Sequence, residues 1–185
     1  PLKDDAPLST YPPVWLFEPT LASYVKLFTQ LNALGALWNS AFIVCLATLF
    51  AMIAGTLAAY ALARFDVKNK NFIAFEVLSI RMLPPIVSVI PLFMIAKHLG
   101  VFDTPWLLIA VYTLNGLPFV VWVMRVFIQE IPQSIEEAAL IDGCGRFECF
   151  WRVTLPLLLP GLAATMVIIF MFAWNEYLLA SVLTS

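Results

Sequence analysis

Four stretches of this sequence are apolar and long enough to cross about 30 Å of hydrocarbon, which takes about 20 helical residues. They cover approximately residues 39–63, 72–96, 105–124 and 161–182. The first and third carry no charge, and the fourth carries none before Glu176. The second is interrupted by Glu76, Arg81 and three prolines. Lipid offers the backbone no hydrogen-bond partners, so each stretch predicts a helix. The expected fold class is all-α: a polytopic integral membrane protein with four transmembrane helices.

Composition agrees. Of the 185 residues, 62% are hydrophobic and 12% charged, and the mean hydropathy is +0.93. One soluble core of this size could not hide that much apolar surface. A net charge of −2 offers no basic patch for nucleic acid. Cys45, Cys144 and Cys149 are an odd number without a CxxC pair, and His98 is the single histidine, so no metal centre is expected.

Basic residues orient the spans. Arg64, Lys68, Lys70, Arg125, Arg146 and Arg152 fall in or beside the 1–2 and 3–4 linkers, whereas Lys3, Lys26 and Lys97 fall on the other side. Both linkers are therefore expected in the cytoplasm. Residues 1–38 form a proline-rich extracytoplasmic segment, in which residues 20–31 predict a short interfacial helix, and residues 39–185 form the membrane domain. Gly100 reads as a left-handed stop after span two, and Thr104-Pro105 as cap and first-turn proline of span three.

The cytoplasmic loop over residues 128–160 is the most informative part. Ser134-Ile135-Glu136-Glu137 has the form of a capping box, and the helix it opens should stop at Gly143. That helix is too short to stand alone in water. Glu136, Glu137 and Asp142 make it acidic, and Ala138 and Ala139 let another backbone approach. It reads either as a plug for a cytosolic partner or as a surface helix with no partner.

Glu137-Ala138-Ala139, then Gly143, Val153 and Leu155-Pro156 at their spacing, resemble the EAA motif of the permease subunits of bacterial ABC importers. Val153 stands where isoleucine is usual, and Cys144 where alanine is usual. The run from Pro132 to Gly143 is similar to the carbohydrate importers, in particular the maltose-type second permease subunit. Asn39-Ser40, the run Ala58 to Arg64, Met82-Leu83-Pro84-Pro85, Ile90-Pro91-Leu92, Leu117-Pro118-Phe119 and Trp174-Asn175-Glu176-Tyr177 also fit. The resemblance implies six spans per subunit, so this chain should lack the first and last. It implies a bacterial inner-membrane location and a coupling helix seated on an ATPase subunit, with Ser134, Glu136, Glu137, Ala138, Ala139, Asp142, Gly143, Leu155 and Pro156 in the coupling loop. It also implies a second permease subunit and an extracytoplasmic solute-binding protein as partners.

Within the spans, Arg81 should lie near the bilayer centre, where a charge must face protein or water. Pro84 and Pro85 should leave the Ile80 and Arg81 carbonyls without helical donors. This break reads either as part of the solute pathway or as a packed kink with Arg81 paired to another subunit. Asn115, Gly116 and Pro118 predict a bend or close packing in span three. Trp174, Asn175 and Glu176 combine aromatic and hydrogen-bonding groups as a sugar site would, although Trp174 and Tyr177 also fit interface anchors. The candidate pathway set is Arg81, Pro84, Pro85, Asn115, Trp174, Asn175 and Glu176.

The sequence has no GxxxxGK phosphate loop, so ATP and magnesium should sit on the partner ATPase, with no cofactor on this chain. A nucleophile–base pair or metalloprotease motif is equally lacking, so an enzyme is not expected. The competing function is an ion- or proton-coupled secondary transporter.

Overall fold

A computed structural model describes residues 33–184. Among them every regular element is helical, as the fold class requires. The expected helix at 20–31 lies outside the described residues. Two units divide the chain, Pro1–Phe42 and Ile43–Ser185. Residues 33–42 of the first are helical, and the other described elements lie in the second.

Helix α1 spans Ala33–Arg64, 32 residues that are apolar on every side until Arg64 closes the last turn. Its buried face carries Ala47, Ala51, Gly55 and Ala59, a small residue every fourth position. That spacing lets another helix come close. A Cβ on Gly55 would lie 2.6 Å from Val120 Cγ1, so this position admits only glycine without displacement.

The second stretch is not one helix. Helix α2 (Lys70–Ser79) leads into a 3-10 turn (Ile80–Met82), and helix α3 (Pro85–His98) leaves at 90° to it. The prolines explain the bend, because neither has an N–H to continue the helix, and Pro84 and Pro85 hold the residues before them, Leu83 and Pro84, in extended conformations. The Ile80 carbonyl is nevertheless satisfied, since Leu83 N–H donates to it at 3.3 Å. The expectation that it would be orphaned is corrected. Helix α3 ends as foreseen: Gly100 has φ 68, and Val101 N–H donates to the Ala96 carbonyl at 3.0 Å.

Helix α4 (Pro105–Glu130) starts on its expected cap, with Leu107 N–H donating to Thr104 Oγ1 at 3.3 Å. It runs through Pro118 unbroken. Gly116 faces Ile169 and Ala51 at contact distance, so the small residue there serves close packing.

Helix α5 (Gln133–Ile141) is followed by a single turn, α6 (Arg146–Cys149), a π-turn over Phe150–Thr154, and α7 (Leu155–Trp174). The π-turn is visible in its bonding, since Leu155 N–H reaches back five residues to the Phe150 carbonyl. The fourth span thus begins before residue 161 and ends at Trp174, earlier than the sequence implied. A short helix, α8 (Leu178–Leu183), follows.

By length and composition, α1, α4 and the run Arg146–Trp174 can each cross a membrane, and the bent α2–α3 pair makes a fourth candidate. Helices α4 and α7 pack closely along one side, where a Gly161 Cβ would sit 2.8 Å from the Phe127 ring. Exposed large apolar residues cover the outer faces, as lipid requires, among them Leu49, Phe50, Ile53, Val167 and Met171.

Candidate functional site

Helix α5 begins two residues earlier than a capping box would place it. Pro132, with φ −57, is its N-cap, and Ile135 N–H donates to the Pro132 carbonyl at 3.2 Å. Ser134 is inside the helix and caps nothing, so the expected box is corrected. Proline's fixed φ starts the helix before serine can. The far end is as expected. Gly143 has φ 95, its N–H donates to the Leu140 carbonyl, and Cys144 N–H donates to the Ala139 carbonyl. This closes the helix in a Schellman arrangement.

The acidic face splits. Glu137 and Asp142 are exposed, but Glu136 is 7% exposed and points inward. Arg64 Nε donates to Glu136 Oε1 at 3.0 Å, and the two side chains are 6% and 9% exposed. Thr154 Oγ1 donates to the same oxygen at 2.9 Å. Tyr60 Oη donates to Oε2 at 3.4 Å. Arg64 also donates through Nη2 to the Ile131 carbonyl at 2.8 Å. One ion pair therefore gathers the end of α1, the end of α4, α5 and the π-turn. Tyr60 is held in turn by Phe150, their rings 4.8 Å apart.

Sequence reasoning placed Glu136 on the outer acidic surface and overlooked Arg64, Tyr60 and Thr154 as site residues. Arg64 is the charge that closes α1, which was the one available signal. The pairing itself joins positions 72 apart. Of the remaining coupling-loop residues, Glu137, Ala138, Asp142 and Gly143 are exposed, Ala139 is half-buried, and Leu155 and Pro156 open α7.

The second candidate site lies at the break. Arg81 Nη1 donates to the Asn115 carbonyl at 3.1 Å, and its guanidinium lies over the rings of Phe172 at 4.7 Å and Phe119 at 5.3 Å. It is thus accommodated within this chain. With Tyr112, Asn115, Gly116, Phe172 and Glu176 it lines a cavity of about 30 Å³. That volume suits a water and is far too small for a sugar.

Glu176 has a further task. Its carboxylate accepts from Leu179 N–H at 3.0 Å and Ala180 N–H at 3.4 Å, which caps α8, and from Tyr112 Oη at 3.2 Å. Trp174 stacks on Phe170 with ring centroids 5.6 Å apart, and Asn175 Nδ2 donates to the Met171 carbonyl at 2.7 Å. Neither lines that cavity. Pro84 lines a separate, mostly apolar hollow with Ile80, Leu83 and Leu179, which Asn115 also reaches. The structure thus joins Arg81, Asn115 and Glu176 in one cavity and Pro84 with Asn115 in another, and it leaves Trp174 and Asn175 apart from both.

A set of membrane-length helices, one of them broken in mid-span, with a short anchored helix between two of the spans, defines a polytopic helical membrane protein of the permease type. The chain belongs to the family described as binding-protein-dependent transport system inner membrane component, whose match covers residues 51–185. It is 40% identical over 150 residues to the trehalose transport system permease protein SugB of Mycobacterium tuberculosis, covering 81% of this chain and 55% of that one. It is 34% identical over 180 residues to the sulfoquinovosyl glycerol transport system permease protein SmoH of Agrobacterium fabrum, covering 97% and 63%. The fold matches a chain in the crystal structure of a bacterial ABC transporter involved in the import of the acidic polysaccharide alginate. There the TM-score is 0.82 at 23% identity, over 100% of this chain and 65% of that one. The chain therefore spans roughly three-fifths of the length of these relatives.

Proposed function

We propose that the chain is the membrane-spanning permease part of an ATP-driven ABC importer for a sugar or sugar derivative, coupled to a cytosolic ATPase through α5. The observation that carries this reading is α5 itself. It has nine residues, a single buried side chain, and apolar groups open at Ile135, Leu140 and Ile141, the last 86% exposed. A helix of this length does not persist for its own stability. Apolar side chains presented on the polar side of the membrane fit a protein partner.

In this reading ATP and magnesium belong to the ATPase. A second permease subunit supplies the facing wall of the pathway, which the small cavity at Arg81 does not provide alone. An extracytoplasmic binding protein delivers the solute. The sugar class rests on the names of the relatives. ATPase closure moves α5, and the spans respond as a shared two-state element.

The test uses the full-length permease with its copurifying subunits in vesicles, with labelled trehalose among the sugars offered. Uptake should require ATP and persist when the proton gradient is collapsed. Uptake driven by a proton gradient without ATP would replace this reading with a secondary transporter. Glu137→Lys should release the ATPase subunit; continued association would remove α5 from the interface.

A further inference from the structure

We infer that Arg64 and Glu136 form the joint through which movement of α5 is delivered to α1, with Arg64 as the positioning residue. The inference rests on the coupling reading of α5.

Helix α5 has no apolar side chain that is fully buried. None of its residues joins any of the three clusters of buried hydrophobic residues in the bundle. Its one buried side chain is a carboxylate, and that carboxylate is held by Arg64 and Tyr60 of α1 and by Thr154 of the π-turn. A cleft beside the pair separates the rest of α5 from α1, lined by Tyr60, Arg64, Gln133, Glu137 and Arg146 among others. Greasy side chains slide past one another at little cost. A buried ion pair with both carboxylate oxygens and two guanidinium nitrogens bonded does not, because displacement breaks those bonds and leaves two largely buried charges unpaired.

The guanidinium suits this task by shape. Its Nε and Nη2 engage two different elements, Glu136 on α5 and the Ile131 carbonyl at the end of α4. A lysine carries its three donors on one nitrogen at the end of a flexible stem and lacks the rigid fork that fixes the two acceptors relative to each other. The Ile131 carbonyl immediately precedes Pro132, the N-cap of α5, so Arg64 fixes the entry to α5 and its first turn together. A pull on α5 therefore reaches α1 through side chains 72 positions apart.

The test is a distance measurement on the intact transporter, purified with its ATPase. Spin labels carried on unnatural amino acids replace Asp66, just past α1, and Gln133, which opens α5, so the native cysteines stay. The probe is ATP with magnesium, compared with the nucleotide-free state. In the native chain the distance should shift by less than about 2 Å between the two states, as for elements that move together. A larger shift overturns the joint. Arg64→Met should broaden the distance distribution in both states, and an unchanged distribution also overturns it. Should that variant fail to assemble, the native measurement decides alone. Copurification separates the two levels. An unlabelled native chain that retains no ATPase defeats the coupling reading, whereas a retained ATPase with loose distances defeats only the joint.

Discussion

Removing both charges of the Arg64–Glu136 pair should cost well below the sum of removing each alone, and the structure sets the scale. In Glu136→Ala, Arg64 keeps the Ile131 carbonyl but loses its carboxylate, and the fully buried Thr154 hydroxyl loses its acceptor. An orphaned buried hydroxyl costs about 1–3 kcal/mol. Stranding one member of a buried pair costs about 3–5 kcal/mol in all, and the cleft beside Arg64 lets water in, which favours the lower end. Arg64→Met strands Glu136 instead and should also cost about 3–5 kcal/mol. The double variant Arg64→Met with Glu136→Ala leaves the Thr154 and Tyr60 hydroxyls and the Ile131 carbonyl unpaired but no charge; only Thr154 is fully buried, so the cost is about 2–4 kcal/mol. The two single costs sum to about 6–10 kcal/mol, so the coupling energy should be about 2 kcal/mol or more. Cys149 reports locally, because it is 1% exposed and its thiol donates to the Glu136 carbonyl at 3.8 Å. With Cys45 and Cys144 replaced by alanine, labelling of Cys149 by a fluorogenic maleimide against denaturant gives each stability. Additive single costs, or native protection of Cys149 in Glu136→Ala, would refute the claim that this pair anchors α5.

Gly161→Ala should lose about 1–3 kcal/mol in thermal unfolding, because the new Cβ meets the Phe127 ring, and Phe127→Leu should restore part of it. Gly143→Val faces no steric obstacle but must adopt φ 95; a strain of about 1–2 kcal/mol should fray the end of α5 and weaken ATPase copurification, which intact binding would contradict. Glu176→Ala should speed hydrogen exchange at the Leu179 and Ala180 amides about fivefold or more, since the capping carboxylate is worth about 1 kcal/mol or more. Arg81→Leu should abolish uptake while the subunits still assemble, and normal uptake would exclude Arg81 from the pathway.

Local signals in this sequence were legible because they act locally. Gly100 and Gly143 adopt left-handed angles after their helices, and Thr104-Pro105 caps and opens α4, each through contacts within five residues. Apolar length located the spans for the same reason. Ser134 misled because its motif competes with Pro132, whose ring fixes the start of the helix first. The charged residues were harder. Glu136 and Glu137 are neighbours of one type, yet the 100° step between them on a helix sends one to Arg64 and the other to solvent. Glu176 looked like a solute group because its real partners, the α8 amides, exist only once the chain breaks at residues 175–177. The π-turn that brings Thr154 to Glu136 leaves no periodic trace in five residues.

The two charged sites are connected by one element. Arg81 grips α4 at the Asn115 carbonyl, and Arg64 grips the same helix's end at the Ile131 carbonyl. Sixteen residues separate those carbonyls, about 24 Å along a helix. Between them stands Pro118, which has no N–H for the Leu114 carbonyl, so α4 is weakest between its two handles. Glu136 and Glu176 have their oxygens occupied by partners inside the chain. Arg81 differs, because one of its five N–H groups meets the Asn115 carbonyl while two aromatic rings shield its faces. A cation held this way is steadied without being neutralised. A helix that touches it at mid-length and the α5 anchor at its end cannot shift along its axis without disturbing both.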